Sequence, residues 1–425
     1  MQRDFDSSTA EVQWIIGAYL LSLASLMAGS GRLADLLGRR LLFLVGVIVF
    51  GLSSLACAAA PSELALIVAR LVQGAGGALT QPLALANATA IMPPERRGWA
   101  IGVLASAGST CLMIGPLLGG LLVETVGWRW VFVINAPVVA VAVWLALRFM
   151  PESREPGAPA LDLRGLLLLT LGLAGLVAGL LHMQEWPAAV DVVVLMLAVL
   201  ILAAFVAVEW RSEHPLLPLR LLRPPEVASS MVALMTIQGA VLSVTVYVAL
   251  FLQNGLGLSA IEAGAVLFPA MIWTPLLSTW TGRLADRRGE RLPVGIGLLI
   301  AACGLAAIGV LATGEEALLL LPGLVAFGIT RPFVFTPAST GPLKIIPADE
   351  RGLASSLVTE SRQLGAVLGV AALGAIAAAF ESGEGTGGSA AGLETGMLAA
   401  SAAALLAGTV ALMALPHRRR ARAAP

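Results

Sequence analysis

Charge is what this sequence has least of. Only 12% of its 425 residues are Asp, Glu, Lys or Arg, and the 26 basic residues are balanced by 26 acidic ones. A soluble domain carries about 25% charged residues, so too few are present here to coat a water-facing surface. A formal net charge of zero supplies no field that would draw in a nucleic acid, and no such partner is expected. Cysteine is scarce as well. Cys57, Cys111 and Cys303 lie far apart inside apolar stretches, where they read as small buried residues rather than a disulfide framework or metal set. Three histidines, none at ligand spacing, say the same about metals. No nucleophile–base pair or phosphate-cradling loop stands out, so an enzyme is not expected.

What is abundant is hydrophobic length. The chain is 58% apolar with a mean hydropathy of +0.90. Runs of about 20 apolar residues, enough to cross a ~30 Å hydrocarbon layer, recur from end to end. They are too long for the alternating ~10-residue strands of a membrane barrel. The fold class is therefore an all-α polytopic membrane protein whose first partner is a lipid bilayer. Its predicted spans are residues 12–30, 41–59, 64–91, 99–123, 129–149, 165–184, 188–209, 228–252, 263–281, 292–313, 317–342, 353–379 and 396–415. Trp14, Trp128, Trp130 and Trp186 at one set of span edges, and Trp99, Trp210 and Trp280 at the other, read as interfacial belts. Trp144 and Trp273 fall within spans, lining a cavity or simply packing.

The chain also repeats itself. Gly31-Arg32-Leu33-Ala34-Asp35, followed by Gly38, Arg39 and Arg40, forms a short charged turn between two apolar runs. It returns as Gly282-Arg283-Leu284-Ala285-Asp286, with Gly289 and Arg291, at an offset of 251 residues. Pro94 to Ala100 resembles Asp349 to Ala354 at an offset of 254 residues. Two anchors in one order at nearly one offset argue for an internal duplication. The expected organisation is an N-terminal bundle over 1–150, two linker helices with their loops over 151–226, a C-terminal bundle over 227–415 and a basic tail over 416–425. The two bundles are pseudo-symmetric, and the inserted helices at 165–209 have no counterpart in the repeat.

Arginine and lysine fix an expected orientation. They occupy every second connection, from Arg32, Arg39 and Arg40 through Arg96 and Arg97 to Lys344, Arg351 and the tail Arg418, Arg419, Arg420 and Arg422. The connections at 60–63, 185–187, 253–262, 314–316 and 380–395 contain none. The basic side, carrying both glycine-bounded motifs and the C-terminal tail, is expected to be cytoplasmic, in the cell membrane. On that scheme the first span starts outside, with no signal peptide to deliver it, and the duplication lacks one helix at its front. The expectation is a start placed too far downstream or a true truncation.

Charges at membrane depth cost at least ~2.5–3.5 kcal/mol each and are functional candidates by default. Arg70, Arg331, Glu360 and Arg362 are the four. Glu360 and Arg362, two residues apart, do not share a helix face. Glu360 is expected either to pair with Arg331, holding two helices in register, or to be a protonatable group in an aqueous cavity. Gly115, Pro116, Gly119 and Gly120 make a stretch where a neighbouring backbone can approach and the helix can bend. Gln73, Gln81, Asn135, Gln238 and Tyr247 are candidate cavity residues, each individually weak. Asp35 and Asp286 each have arginines within reach for surface pairs.

Together these residues resemble the major facilitator superfamily, and within it the 14-spanner drug:proton antiporters. The Gly31 to Arg40 stretch is similar to that family's cytoplasmic signature. Arg70, Gln73, Gly74 and Gly77 are similar to the motif of its fourth helix. Gly115, Pro116, Gly119 and Gly120 resemble the antiporter motif of its fifth, with Cys111 where glycine is usual. The inserted pair followed by Pro215-Leu216-Leu217-Pro218-Leu219 looks like the 14-spanner branch. The resemblance implies the major facilitator fold, two bundles rocking around a central cavity. It further implies gates at Asp35 and its arginine neighbours, and a part for Arg70 in proton handling. The implied function is secondary active efflux of small amphipathic compounds or drugs, driven by a proton gradient with no cofactor. Alternatives are export of an endogenous metabolite, or a truncated membrane protein that transports nothing. Gln2 to Tyr19 looks like the segment after the family's first helix, so that helix and its acidic residue are absent from the reading.

Overall fold

The computed structural model describes residues 5, 9–93, 97–152, 162–181, 186–212, 215–217, 219–312, 316–347, 350–379 and 390–415. The basic tail at 416–425 and the side chains of Asp35 and Pro116 lie outside the described residues. Every described element is helical: α1 (Thr9–Leu37), α2 (Arg39–Ala59), α3 (Glu63–Ile91), α4 (Arg97–Thr125), α5 (Asn135–Phe149), α6 (Leu163–Leu181) and α7 (Ala188–Arg211) come first. Then follow α8 (Pro225–Ser243), α9 (Ala260–Met271), α10 (Trp273–Arg288), α11 (Arg291–Leu311), α12 (Leu321–Ile345), α13 (Arg351–Ala379) and α14 (Ala390–Ala414). A short turn, Trp130–Val133, leads into α5, and two wide-pitch turns, Val244–Val248 and Phe251–Gly255, prolong α8.

Each span predicted from the sequence falls on one of these helices, with α9 and α10 sharing one run. Among the described residues, ten runs are long and apolar enough to cross a membrane. The other three, α1, α4 and α13, are 29 residues each, about 44 Å at 1.5 Å per residue. α13 carries Glu360 and Arg362 inside its run. Local chemistry marks several starts. The Ser62 side chain accepts from Ala65 N at the start of α3, Ser259 and Glu262 form a capping box before α9, and Pro225 opens α8.

The chain falls into two compact units, Met1–Cys111 with Leu118–Leu217, and Leu112–Leu117 with Pro218–Pro425. In the first, α1 packs along α3, α3 along α2, and α2 against α5. The inserted helices α6 and α7 pair with each other, and α6 rests on α1. In the second, α11 lies between α12 and α14, α8 runs beside α13, and α9 and α10 lean on α12. The α8–α13 contact is tight. A Cβ on Gly365 would run into the backbone of Met235, and one on Gly239 would stand 2.6 Å from the Gly365 carbonyl oxygen. Only residues without a side chain allow two backbones so close.

The charged motif is not a glycine-bounded turn. α1 continues through Gly31 to Leu37, and α10 through Gly282 to Arg288, because Arg, Leu, Ala and Asp in this order extend a helix without a break. The chain turns only at Gly38 and Gly289, with φ of +110° and +84°, backbone that glycine adopts freely and residues with a side chain scarcely enter. Both glycines donate their N–H to the same place in the motif, Ala34 O and Ala285 O, at 2.9 Å in each case. Two further expectations need correction. Trp128 is buried, 5.6 Å from the Phe5 ring, and so is no belt residue, whereas Trp130, Trp210 and Trp280 are exposed. Of the cysteines only Cys57 is buried; Cys111 and Cys303 are exposed.

Candidate functional site

The first unit holds a polar knot in an otherwise apolar setting. Arg70, two turns into α3, donates Nε to Ile15 O at 3.0 Å and Nη1 to Gln73 Oε1 at 2.6 Å. Its guanidinium carbon sits 4.2 Å from the centre of the Tyr19 ring. Gln73, one helical turn on, donates Nε2 to Ser54 Oγ at 2.9 Å, and Asn135 Nδ2 donates to the same oxygen at 2.9 Å. Ser54 in turn donates to Phe132 O at 3.1 Å. One network thus joins α1, α2, α3 and the turn into α5, under an apolar cap of Ile15, Cys57, Leu66, Trp128 and Phe132. No carboxylate holds Arg70 among the described residues; carbonyl, amide and aromatic groups carry its charge. Gln73 and Asn135 are therefore knot members with their side-chain amides engaged.

In the second unit the charges sort differently from the expectation. No salt bridge joins Glu360 to Arg331. Glu360 is 2% exposed, and its Oε1 has no hydrogen-bond partner among the described residues. Arg331 on α12 and Arg362 on α13 meet instead at Phe335, with guanidinium carbons 5.7 and 4.4 Å from the ring centre. The reason is rotational. Positions two apart lie about 200° round a helix at 3.6 residues per turn, so the face that brings Arg362 to α12 takes Glu360 away from it. Gln238 on α8 has a buried, unpartnered Oε1. Tyr247 donates its hydroxyl to Val370 O at 2.7 Å and so acts as a strut between α8 and α13. Trp273 keeps a buried, unpartnered Nε1, while Trp144 is 60% exposed and stacks edge-on with Phe149 at 6.2 Å.

The two copies of the charged motif are anchored by different side chains. Beside Gly38, Arg40 N donates to Glu152 Oε1 at 3.2 Å and Arg40 Nη2 to Leu147 O at 2.9 Å, tying the α1–α2 turn to the end of α5. In the second copy Asp286 pairs with lysine, and among the described residues no arginine pairs with it. Its Oδ1 accepts from Lys344 Nζ at 2.8 Å, and the same ammonium lies 3.4 Å from Glu290 Oε1. Glu290 is buried and fills the space above Gly341, where a Cβ would stand 2.6 Å from its Oε2. This cluster joins α10, the start of α11 and the end of α12.

On α4, a Cβ added to Gly115 or Gly119 would meet no atom within 4 Å. The close backbone approach expected at those two glycines is therefore not made in this structure; Gly120 is buried. Gln81 is exposed on α3. Sequence reasoning missed Ser54, Phe335, Lys344 as an anchor, and Glu290. A lone serine or phenylalanine in an apolar run carries no signal, but Glu290 had one: it stands in the repeat where the first copy has Arg39.

Comparison with known proteins gives a consistent picture. The family model described as Major Facilitator Superfamily matches residues 1–370. The "Multidrug resistance protein Stp" of Mycobacterium tuberculosis (strain CDC 1551 / Oshkosh) is 33% identical over 385 residues, covering 90% of this chain and 72% of that protein. The "Tetracenomycin C resistance and export protein" of Streptomyces glaucescens is 32% identical over 385 residues, covering 89% and 71%. The "Puromycin resistance protein pur8" of Streptomyces alboniger is 34% identical over 383 residues, covering 88% and 76%.

Proposed function

Because the chain belongs to the Major Facilitator Superfamily of transporters, we propose that it exports small amphipathic compounds across the cell membrane in exchange for protons. The observation that supports this reading is Glu360, a buried carboxyl in a membrane-length helix that makes no ion pair among the described residues. Such a group gains or loses a proton without breaking an ion pair, and its cost as a charge depends on how wet its surroundings are. A conformational change that wets or dries it therefore gives the proton different affinities in two states, which is what coupling requires. Arg70, held by neutral groups alone among the described residues, supplies a fixed positive charge in the other unit. The Gly38 and Gly289 turns with their anchors serve as gates on the cytoplasmic side, where the tail also lies.

The test is efflux from proteoliposomes carrying an imposed pH gradient. Flux that ignores the gradient sinks antiport. Glu360→Gln should bind substrate yet lose gradient-driven flux, and Glu360→Asp should retain part of it. If both variants move substrate like the parent, Glu360 has no coupling role. A second reading, export of an endogenous natural product, is favoured by the Streptomyces relative whose name combines resistance with export. Competition between drugs and metabolites of the host cell separates the two.

A further inference from the structure

Arg331 and Arg362 each bury an Nε that finds no hydrogen-bond partner, and neither meets a carboxylate among the described residues. Both guanidinium carbons nevertheless lie within 5.7 Å of one ring centre, that of Phe335. From this we infer that α12 and α13 hold a binding site for the carboxylate of an aromatic or amphipathic organic acid. The inference rests on the transporter reading and names a substrate class for it.

Two like charges directed at one ring in a membrane-length bundle repel each other, and a negative group bound between them would offset that repulsion. The acid nearest in sequence, Glu360, does not serve, since it faces another way and makes no salt bridge with either arginine. Both arginines are half-buried as whole residues, and in each the Nε is sealed. The guanidinium fork matches a planar carboxylate in two parallel hydrogen bonds, which a single ammonium could not provide. Phe335, one turn beyond Arg331 on the same helix, already has guanidinium groups on it and offers apolar surface for the ligand's ring. An acid seated here would satisfy the stranded donors, offset the repulsion and bury its apolar part in one step. A neutral molecule of the same shape would do only the last.

The experiment is binding to the purified full chain in neutral detergent, with 2-naphthoate against 2-naphthylmethanol. Naphthoate should bind at least about tenfold more tightly, since a site built on charged donors discriminates against a ligand that cannot accept from them. Arg331→Gln and Arg362→Gln should each bring that ratio towards one, and Arg362→Lys, which keeps the charge and loses the fork, should keep part of it. Equal affinities in the unmodified protein overturn the inference. So does an unchanged ratio in the glutamine variants, or occupancy by phosphatidylglycerol that naphthoate does not displace. If a variant fails to fold, the ratio in the unmodified protein still decides. Binding is read without a gradient, so discrimination without flux sinks transport and leaves the site. Gradient-driven ethidium flux without discrimination does the reverse.

Discussion

Ser54 concentrates more of the first unit's polar bonding than any sequence pattern suggests, and Ser54→Ala measures how much. Its hydroxyl is fully buried, accepts from Gln73 and Asn135 and donates to Phe132 O. Removing it strands two amide donors and takes one of two donors from the Phe132 carbonyl, which keeps the Ile134 N–H. Hydrogen bonds between side chains inside membrane proteins average about 0.6 kcal/mol, which puts a floor near 2 kcal/mol under the loss of three. Two stranded donors at about 1–3 kcal/mol each put the ceiling near 6 kcal/mol. Ser53 next door is the control. It is also buried, but its hydroxyl bonds to Val49 O and Phe50 O of its own helix, so Ser53→Ala should cost less than about 1 kcal/mol. Equilibrium unfolding of both variants in mixed micelles compares them directly. A Ser54→Ala loss within about 0.5 kcal/mol of the control, inside the usual scatter for unstrained sites, would refute the idea that this hydroxyl ties the helices together.

Lys344→Met should cost about 1–3 kcal/mol. The larger part comes from Glu290, whose side chain is 8% exposed, and little from Asp286, which is 68% exposed. Adding Glu290→Gln should recover most of the loss in a double-mutant cycle; no recovery removes Glu290 from the account. Gly365→Ala pushes a methyl into the Met235 backbone and should destabilise by about 1–3 kcal/mol. Gly31→Ala, whose Cβ meets nothing within 4 Å inside a helix, should stabilise by about 0.5–1 kcal/mol. Thermal unfolding that moves both glycine variants in the same direction contradicts these packing assignments.

The spans were legible because nothing but helix length and apolar composition decides them, and composition is written openly in the chain. The repeat was legible because its glycines and charges are spelled the same way twice. Pairings were not. The expected Glu360–Arg331 bridge depends on the rotation of α13 about its axis, which a linear string does not state, although the two-residue spacing of Glu360 and Arg362 already implied that they would part. The reading of Gly31 and Gly282 as turn boundaries gave glycine too much weight, since one glycine in a run of good helix formers costs about 1 kcal/mol and rarely stops it. Asp286 drew lysine in place of arginine because the end of α12, 58 residues away, reaches it in space. The knot at Arg70 was half visible: Arg70, Gln73 and Asn135 were named, while the serine that joins two of them looks like any other small residue in a span.

The matched breaks at Gly38 and Gly289 show which features the two copies of the motif share and which they do not. Both keep the same left-handed step and close the same loop back to an alanine, so the handedness of that step is shared. The surrounding chemistry is not. One copy is fastened by a carboxylate on a backbone amide and an arginine on a carbonyl, the other by an ammonium between two acids. Two similar turns therefore rest on unlike fastenings. Reversing the charge of Lys344 would set a third carboxylate beside Asp286 and Glu290 and loosen that fastening, so two turns spelled alike answer to different side chains.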